Sequence, residues 1–214
     1  MTFTVLGVCA ANICRSPLMA LGLERSFLMR GFGGDVVVRS AGVSAAADEI
    51  ACAEVARLAK ARGLPSLVLE KHRAAPLTDQ LIDGADLILA ADRSVRSEIV
   101  KRGRPHSIER TFTLREAAQL AEAVSHRIEG RTIEERLRSL TMQMNHHRGF
   151  TDLPGVERVL TMTLPWRRLE VHTHDVPDAH GDVGAPHRLV FRLIIPTADR
   201  LAGSLSTGAL AHLR

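Results

Sequence analysis

Aromatic residues are scarce in this sequence: they make up 3% of its 214 residues, with no tyrosine and a single tryptophan, Trp166. The core must therefore consist mainly of aliphatic side chains and alanine. Without tyrosine, the chain cannot be controlled by tyrosine phosphorylation of itself. Its length is sufficient for a core that folds independently, and we predict a single domain over residues 1–214.

Long apolar runs are also missing. No run reaches the ~18 residues needed to cross a bilayer, and no charged segment followed by an apolar one resembles a secretion signal. The three cysteines, an odd number, show no disulfide framework of the kind found in small secreted proteins. We therefore expect a cytoplasmic protein without a membrane partner.

The formal net charge of +4 raises the question of nucleic-acid binding. The basic residues gather in two helix-like stretches, 93–104 and 127–138, where glutamates are interleaved with them. No aromatic side chains lie among them to stack on bases. We interpret both stretches as solvated helix faces and expect no nucleic-acid partner. A mildly positive surface would still attract a phosphorylated, acidic substrate.

Strand and helix patterns alternate along the chain. Apolar runs predict strands at 3–8, 36–40, 86–91 and 108–112. Helical spacing of apolar residues predicts helices at 17–29, 48–62, 94–102, 113–126 and 132–144, with Gly63 ending the second. This alternation predicts an α/β fold, an open parallel sheet of about four strands with helices on both faces. Ligands of such sheets bind at the carboxyl ends of the strands.

The loop after the first predicted strand carries the clearest chemical signal. Cys9 and Arg15 enclose five residues, and Pro17 fits the first turn of the next helix. The free N–H groups and the dipole of that helix favour a bound anion. In this setting the Cys9 thiol would ionise readily and act as a nucleophile. The Arg15 guanidinium can donate to two phosphate oxygens at once, and the Ser16 hydroxyl can donate to the sulfur. A buried Cys9 beside a surface Arg15 is the alternative, because this spacing also arises by chance.

Residues 8–17, V-C-A-A-N-I-C-R-S-P, closely resemble the phosphate-binding loop of the low-molecular-weight protein tyrosine phosphatases. Further similarity lies at 40–42, 72–74, 85–89 and 175–178, the last before a helix-like segment. The resemblance is strong up to about residue 92, returns at about 171–205 and is weak between. We predict an insertion at about 127–170, either beside the mouth of the site or as a plain surface elaboration.

The resemblance implies a phosphatase that hydrolyses phosphotyrosine or another aryl phosphate monoester through a phosphocysteine intermediate, without a cofactor or metal. Its partners would be a phosphotyrosine-bearing protein or a small aryl phosphate, with phosphate and vanadate as inhibitors. Cys9 would be the nucleophile, Arg15 would bind the phosphoryl group and Asp178 would be the general acid. The remaining substrate-binding residues would be Ala10, Ala11, Asn12, Ile13, Cys14 and Ser16.

Two further residues have implied supporting roles. In the family, Asn12 forms a polar network with Ser40 and His72 that supports the shape of the loop. His72 is equally compatible with an ordinary surface histidine.

Cys14 stands where the family has a cysteine that can form a reversible disulfide with the nucleophile, although a buried structural thiol is the simpler interpretation. Cys52 lies in a helix-like run of alanines and is predicted to belong to the core.

Two positions depart from the family pattern. The family has glycine at the position of Ala11, and a positive φ there would cost alanine about 1–2 kcal/mol. The family acid lies in an Asp-Pro pair that an aromatic residue usually follows, whereas Ala179 and His180 follow Asp178 here. Asp175 is the second candidate for the acid.

Three other functions remain open on the sequence alone. Related thiol chemistry supports an arsenate reductase that uses an external thiol. The two departures from the pattern fit a catalytically weak regulatory relative that binds phosphate. A metal protein is the third possibility, because histidine and aspartate side chains bind zinc and several are neighbours here: His172, His174, Asp175, Asp178 and His180.

Overall fold

The computed structural model describes residues 2–124, 128–148, 159–164, 167–181 and 184–211. Four strands pair in parallel in the order β2-β1-β3-β4: β1 Phe3–Cys9, β2 Val36–Gly42, β3 Leu87–Ala90 and β4 Thr111–Thr113. In this register Cys9 lies opposite Gly42 on one side, and Val8 lies opposite Ala90 on the other. The carboxyl ends of the three strands therefore meet at the loop that follows β1.

Helices cover both faces of the sheet. The helices are α1 Arg15–Met29, α2 Ala53–Lys60, α3 Leu67–Glu70, α4 Asp79–Asp83, α5 Arg93–Arg102, α6 Leu114–Ala123, α7 Ile133–His147 and α8 His187–Leu210. On one face α8 packs against α1, α6 and α7, and their side chains share a core with Phe3 and Val5 of β1. On the other face Ile82 of α4 and Ile99 of α5 pack against Leu6. The predicted α/β fold is confirmed.

The second predicted helix begins later than expected. Helical spacing predicted it from residue 48, but α2 starts at Ala53. Asp48 has a left-handed φ of 65°, and Ile50 forms an antiparallel bridge with Arg73. These contacts hold residues 48–52 outside the helix. The helix also ends earlier than predicted, at Lys60 with Ala61 as its C-cap, and Gly63 adopts a φ of 67° in the turn that follows.

The fourth strand is shifted, because residues Pro105–Arg110 form a 3-10 helix and pairing starts only at Thr111. The region of the predicted insertion contains α7 and an antiparallel pair that the sequence patterns did not indicate, β5 Val159–Leu164 and β6 Arg167–His172. Trp166 and residues 149–158 lie outside the described residues, and the insertion itself stays a prediction. No helix in the described part of the chain is long and apolar enough to cross a membrane.

Candidate active site

The loop after β1 turns around the sulfur of Cys9. The Asn12 N–H donates to Cys9 Sγ at 3.2 Å, and Ser16 Oγ lies 3.1 Å from the same atom. Only 3% of the Cys9 surface is exposed to solvent. At the amino end of α1 the sulfur thus accepts a backbone N–H and lies against the Ser16 hydroxyl. The structure therefore brings together the nucleophile and the serine expected from the sequence.

The left-handed residue of this loop is Asn12, with a φ of 55°, and not Ala11. Within the described ranges, Asp48 alone shares this conformation among the residues other than glycine. Asparagine adopts it more readily than other L-residues because its short side chain can hydrogen-bond locally. The backbone strain that a positive φ would impose on Ala11 is therefore absent.

Asn12 is held by both side-chain and backbone partners. Its Nδ2 donates to Ser16 Oγ at 2.8 Å and to Ser40 Oγ at 3.0 Å, and its Oδ1 accepts from the Ala75 N–H at 2.9 Å. His72 Nε2 lies 2.7 Å from the Asn12 carbonyl oxygen. A buried network whose members are all hydrogen-bonded holds a loop in one conformation. The three residues expected to support the loop thus lie in one network.

Gly42, at the end of β2, lets the loop approach the sheet. A Cβ at this position would lie 2.6 Å from the Ala10 carbonyl oxygen and 2.8 Å from the Asn12 nitrogen. Both atoms are backbone, so the loop itself would have to move. We expect Gly42→Ala to lower stability by about 1–3 kcal/mol and to weaken inhibition by phosphate.

Urea unfolding and the inhibition constant of phosphate measure these two effects. Gly34→Ala is the matched control, because a Cβ at Gly34 meets nothing within 4 Å. Equal effects of the two substitutions would contradict the close approach at Gly42.

Arg15 is buried at the start of α1 and is shared by two carboxylates. Its Nη1 donates to Asp92 Oδ2 at 2.6 Å and to the Val176 carbonyl at 3.1 Å, while its Nη2 donates to Asp178 Oδ2 at 2.5 Å. Burial opposes the charge of this guanidinium, but Cys9, Asp178 and Asp92 outweigh it and raise the pKa of Arg15. A permanent positive charge therefore lies beside Cys9.

Asp92 is a site residue that the sequence reasoning missed. Its Oδ1 caps α5 by accepting from the Val95 N–H at 2.8 Å and from Ser94 Oγ at 2.6 Å. Burial favours its neutral form, yet these hydrogen bonds and the charge of Arg15 outweigh burial and lower the pKa of Asp92. An aspartate between a strand and a helix is a recognisable helix cap, but the pattern does not show the contact with Arg15.

The two candidates for the acid have different partners. Asp178 binds Arg15, and its Oδ1 also accepts from the His180 N–H at 2.9 Å. Asp175 instead pairs with Arg93, whose Nη2 lies 3.1 Å from Asp175 Oδ2. Asp178 is thus in direct contact with Arg15, whereas Asp175 is engaged by Arg93.

A pocket of about 490 Å³ opens beside Arg15 and Asp178. Acidic side chains border it, Glu98 of α5 and Glu170 of β6. Its apolar wall includes Val43, Val95 and Val171, and no phenylalanine, tyrosine or tryptophan contributes within the described ranges. Because β6 belongs to the region 127–170, this region contributes directly to the pocket.

The other two cysteines lie together beside the loop. Cys52, predicted as a core residue within a helix, immediately precedes α2 and is only half-buried. The hydrogen bond between the two thiols raises the pKa of Cys14 and lowers that of Cys52 to about 4. Burial raises the pKa of Cys14 further. Burial would also raise the pKa of Cys52, but hydrogen bonds from the N–H groups of Val55 and Glu54 help to lower it. Cys14 therefore lies beside Cys52, and its reversible disulfide with Cys9 stays a prediction.

The histidines and aspartates of residues 172–180 do not form one metal site. His174 Nε2 lies 2.9 Å from Gln119 Oε1, and the two aspartates bind arginines. Of the five candidate metal ligands in this segment, His180 alone belongs to a group of potential ligands within the described ranges. The other members of that group come from other parts of the chain.

Comparison with known proteins shows what the chain is similar to. The family described as low molecular weight phosphotyrosine protein phosphatase matches residues 4–149. A probable low-molecular-weight protein-tyrosine-phosphatase of Ralstonia nicotianae is 36% identical over 134 residues, covering 63% of this chain and 86% of the relative. A protein-arginine-phosphatase of Geobacillus stearothermophilus is 34% identical over 116 residues, covering 54% and 72%. The solved structure of an arginine phosphatase from G. stearothermophilus aligns with a TM-score of 0.62 at 25% identity, covering 99% and 98% of the two chains.

Proposed function

Because the chain belongs to the low-molecular-weight phosphotyrosine protein phosphatase family and is a phosphatase, we propose that its substrates are phosphotyrosine in proteins and small aryl phosphates. The observation that carries this proposal is the convergence of Cys9, Arg15 and Asp178 at the end of β1. The proposed location is the cytoplasm, where reducing conditions keep a catalytic thiol available.

Binding comes first in the proposed mechanism. The phosphoryl oxygens accept hydrogen bonds from the N–H groups of residues 10 to 15 and from the Arg15 guanidinium. The Cys9 thiolate then attacks phosphorus in line with the departing oxygen, forming the sulfur–phosphorus bond as the phosphorus–oxygen bond breaks. Preorganised donors around the charged group supply most of the stabilisation of the transition state.

Substrate binding would break the contact between Arg15 and Asp178 and so free the acid. A phosphoryl dianion competes with the Asp178 carboxylate for Nη2 of Arg15. Once Asp178 leaves that contact, its proton-bearing form can face the leaving oxygen and protonate it as the phenol departs. The resulting carboxylate then removes a proton from water, which attacks phosphorus and releases phosphate from Cys9.

Phosphoarginine is the second candidate substrate. Two observations favour it: an arginine phosphatase is among the relatives, and the pocket has the acidic border of Glu98 and Glu170 without an aromatic side chain in its described lining. Carboxylates at these positions are suited to hydrogen bonds from a guanidino group.

Matched peptides decide between the two substrates. We expect kcat/KM for a phosphotyrosine peptide to exceed that for the same peptide with phosphoarginine by at least about tenfold, a free-energy difference of roughly 1.4 kcal/mol. The inverse ratio, lowered further by Glu170→Gln, would assign the enzyme to phosphoarginine. Arsenite formation from arsenate and an external thiol would instead favour the reductase. Phosphate binding without turnover would identify a regulatory relative.

A further inference from the structure

Four side chains that the proposed phosphatase mechanism does not use converge beside the loop. Cys14 belongs to the loop, Cys52 precedes α2, His180 lies in the segment after Asp178 that we call the acid loop, and His187 begins α8. Their sulfur and ring-nitrogen atoms all lie within 4.8 Å of one another. We refer to these four residues as the Cys-His cluster.

His187 faces two partners of the cluster with one nitrogen. Its Nε2 lies 3.2 Å from Cys52 Sγ and 3.2 Å from His180 Nε2, and the two imidazole rings meet edge to face. A ring nitrogen carries at most one proton, so His187 Nε2 cannot donate a hydrogen bond to both neighbours at once. A cation bound by these atoms would use every one of them.

The spacing fits a single tetrahedral ion. Zn²⁺ bonds of about 2.3 Å to sulfur and about 2.0–2.1 Å to nitrogen place ligand atoms roughly 3.3–3.8 Å apart. Two contacts of the cluster measure 3.2 Å and every other ligand pair lies within 4.8 Å, so small side-chain adjustments suffice. We propose that the Cys-His cluster binds one Zn²⁺ ion through Cys14, Cys52, His180 and His187. This site departs from the sequence-based expectation of a protein without a metal.

The surrounding structure supports the site before any ion arrives. The Cys52 N–H donates to the Ile13 carbonyl at 2.7 Å, which holds Cys52 beside the loop. Cys14 is buried whereas His180 is exposed, so the cluster opens to solvent on one side. A fixed ligand frame with an entry path is what a metal site requires.

Zinc at this position would connect the loop with the acid. His180 supplies a ligand through its ring and donates its backbone N–H to Asp178 Oδ1. The ion would therefore fix the acid loop and the start of α8 against the loop that carries Cys9. It would also occupy the Cys14 sulfur and keep it from pairing with Cys9. These two consequences rest on the proposed function, whereas metal binding itself does not.

The test uses the full chain, stripped of metal and kept reduced with a phosphine in a buffer without phosphate. We expect about one equivalent of Zn²⁺ by equilibrium dialysis and metal analysis, and a higher unfolding temperature in its presence. Titration with Co²⁺ alone should give the visible bands of a tetrahedral ion and the near-ultraviolet absorption of thiolate ligands. Failure to bind either ion would overturn the proposal.

Substitutions locate the ion. Cys52→Ser and His180→Gln should each weaken Zn²⁺ binding by at least about 100-fold, above the usual effect of losing a supporting contact. His180 is exposed, so its variant is expected to fold, and circular dichroism checks both. His106→Gln, at an exposed histidine of the 3-10 helix, is the matched control and should bind normally. Cys9→Ser should also bind normally.

Two results would refute this ligand set. Loss of the metal in Cys9→Ser would place it on the nucleophile, and unchanged affinity in both cluster variants would place it elsewhere. Neither result concerns hydrolysis, so a failure of this proposal is distinguishable from a failure of the proposed phosphatase substrate.

Discussion

Replacing Cys9 by serine is expected to lower the turnover of para-nitrophenyl phosphate by about 10⁵-fold or more, as loss of a covalent nucleophile does in other enzymes. A serine hydroxyl ionises far less readily than a thiol, so the same donors no longer present an anion to phosphorus. The loop should keep its shape, because the network around Asn12 involves its own side chain and backbone. Steady-state kinetics measures the loss.

Phosphate and vanadate binding separate chemistry from folding in this variant. Phosphate should still bind to Cys9→Ser, because Arg15 and the loop N–H groups remain. Rapid quenching of the wild-type enzyme in acid with a radiolabelled substrate should trap a phosphorylated protein that Cys9→Ser does not form. Substantial turnover by Cys9→Ser would disprove the phosphocysteine route.

Replacing Asp178 by asparagine is expected to lower kcat for phenyl phosphate by about 10²–10³-fold, within the usual contribution of a general acid. The amide keeps nearly the shape of the carboxyl and still offers an oxygen to the His180 N–H. It has no proton to deliver to a basic leaving group. Comparison of kcat across a series of aryl phosphates measures the effect.

The basicity of the leaving group distinguishes the loss of a general acid from other effects of the Asp178→Asn substitution. Para-nitrophenolate departs without much help, so Asp178→Asn should affect its ester less than it affects phenyl phosphate. Asp175→Asn is the matched comparison, because Asp175 is bound to Arg93 and should change kcat by less than about threefold on the scale of a lost surface ion pair. A larger effect of Asp175→Asn than of Asp178→Asn would reverse the assignment of the acid.

Local sequence patterns predicted the parts of the site that depend on neighbouring residues. The apolar run of β1, the turn at Cys9 and the proline of α1 lie within one short stretch, so strand, loop and helix could be predicted together. The same reasoning considered a left-handed conformation at Ala11, but Asn12 is the residue that adopts it. The shape of the loop is set by Asn12 and its partners from β2 and residue 75, which the loop sequence does not show.

Contacts between distant segments could not be predicted in this way. Apolar spacing predicted a helix through Cys52, but a bridge between Ile50 and Arg73 delays its start. That delay leaves Cys52 beside Cys14 and His187, which are far apart in the sequence. Asp92 was missed for a similar reason, since a helix cap is a local feature and its ion pair with Arg15 is not.

The order in which the chain is synthesised separates the two halves of the site. Arg15 precedes Asp178 by 163 residues, and α8, which packs against α1, follows still later. At about 5–20 residues per second, the acid is polymerised roughly ten to thirty seconds after the phosphate-binding loop. A nascent chain on the ribosome therefore carries the proposed nucleophile long before the proposed proton donor.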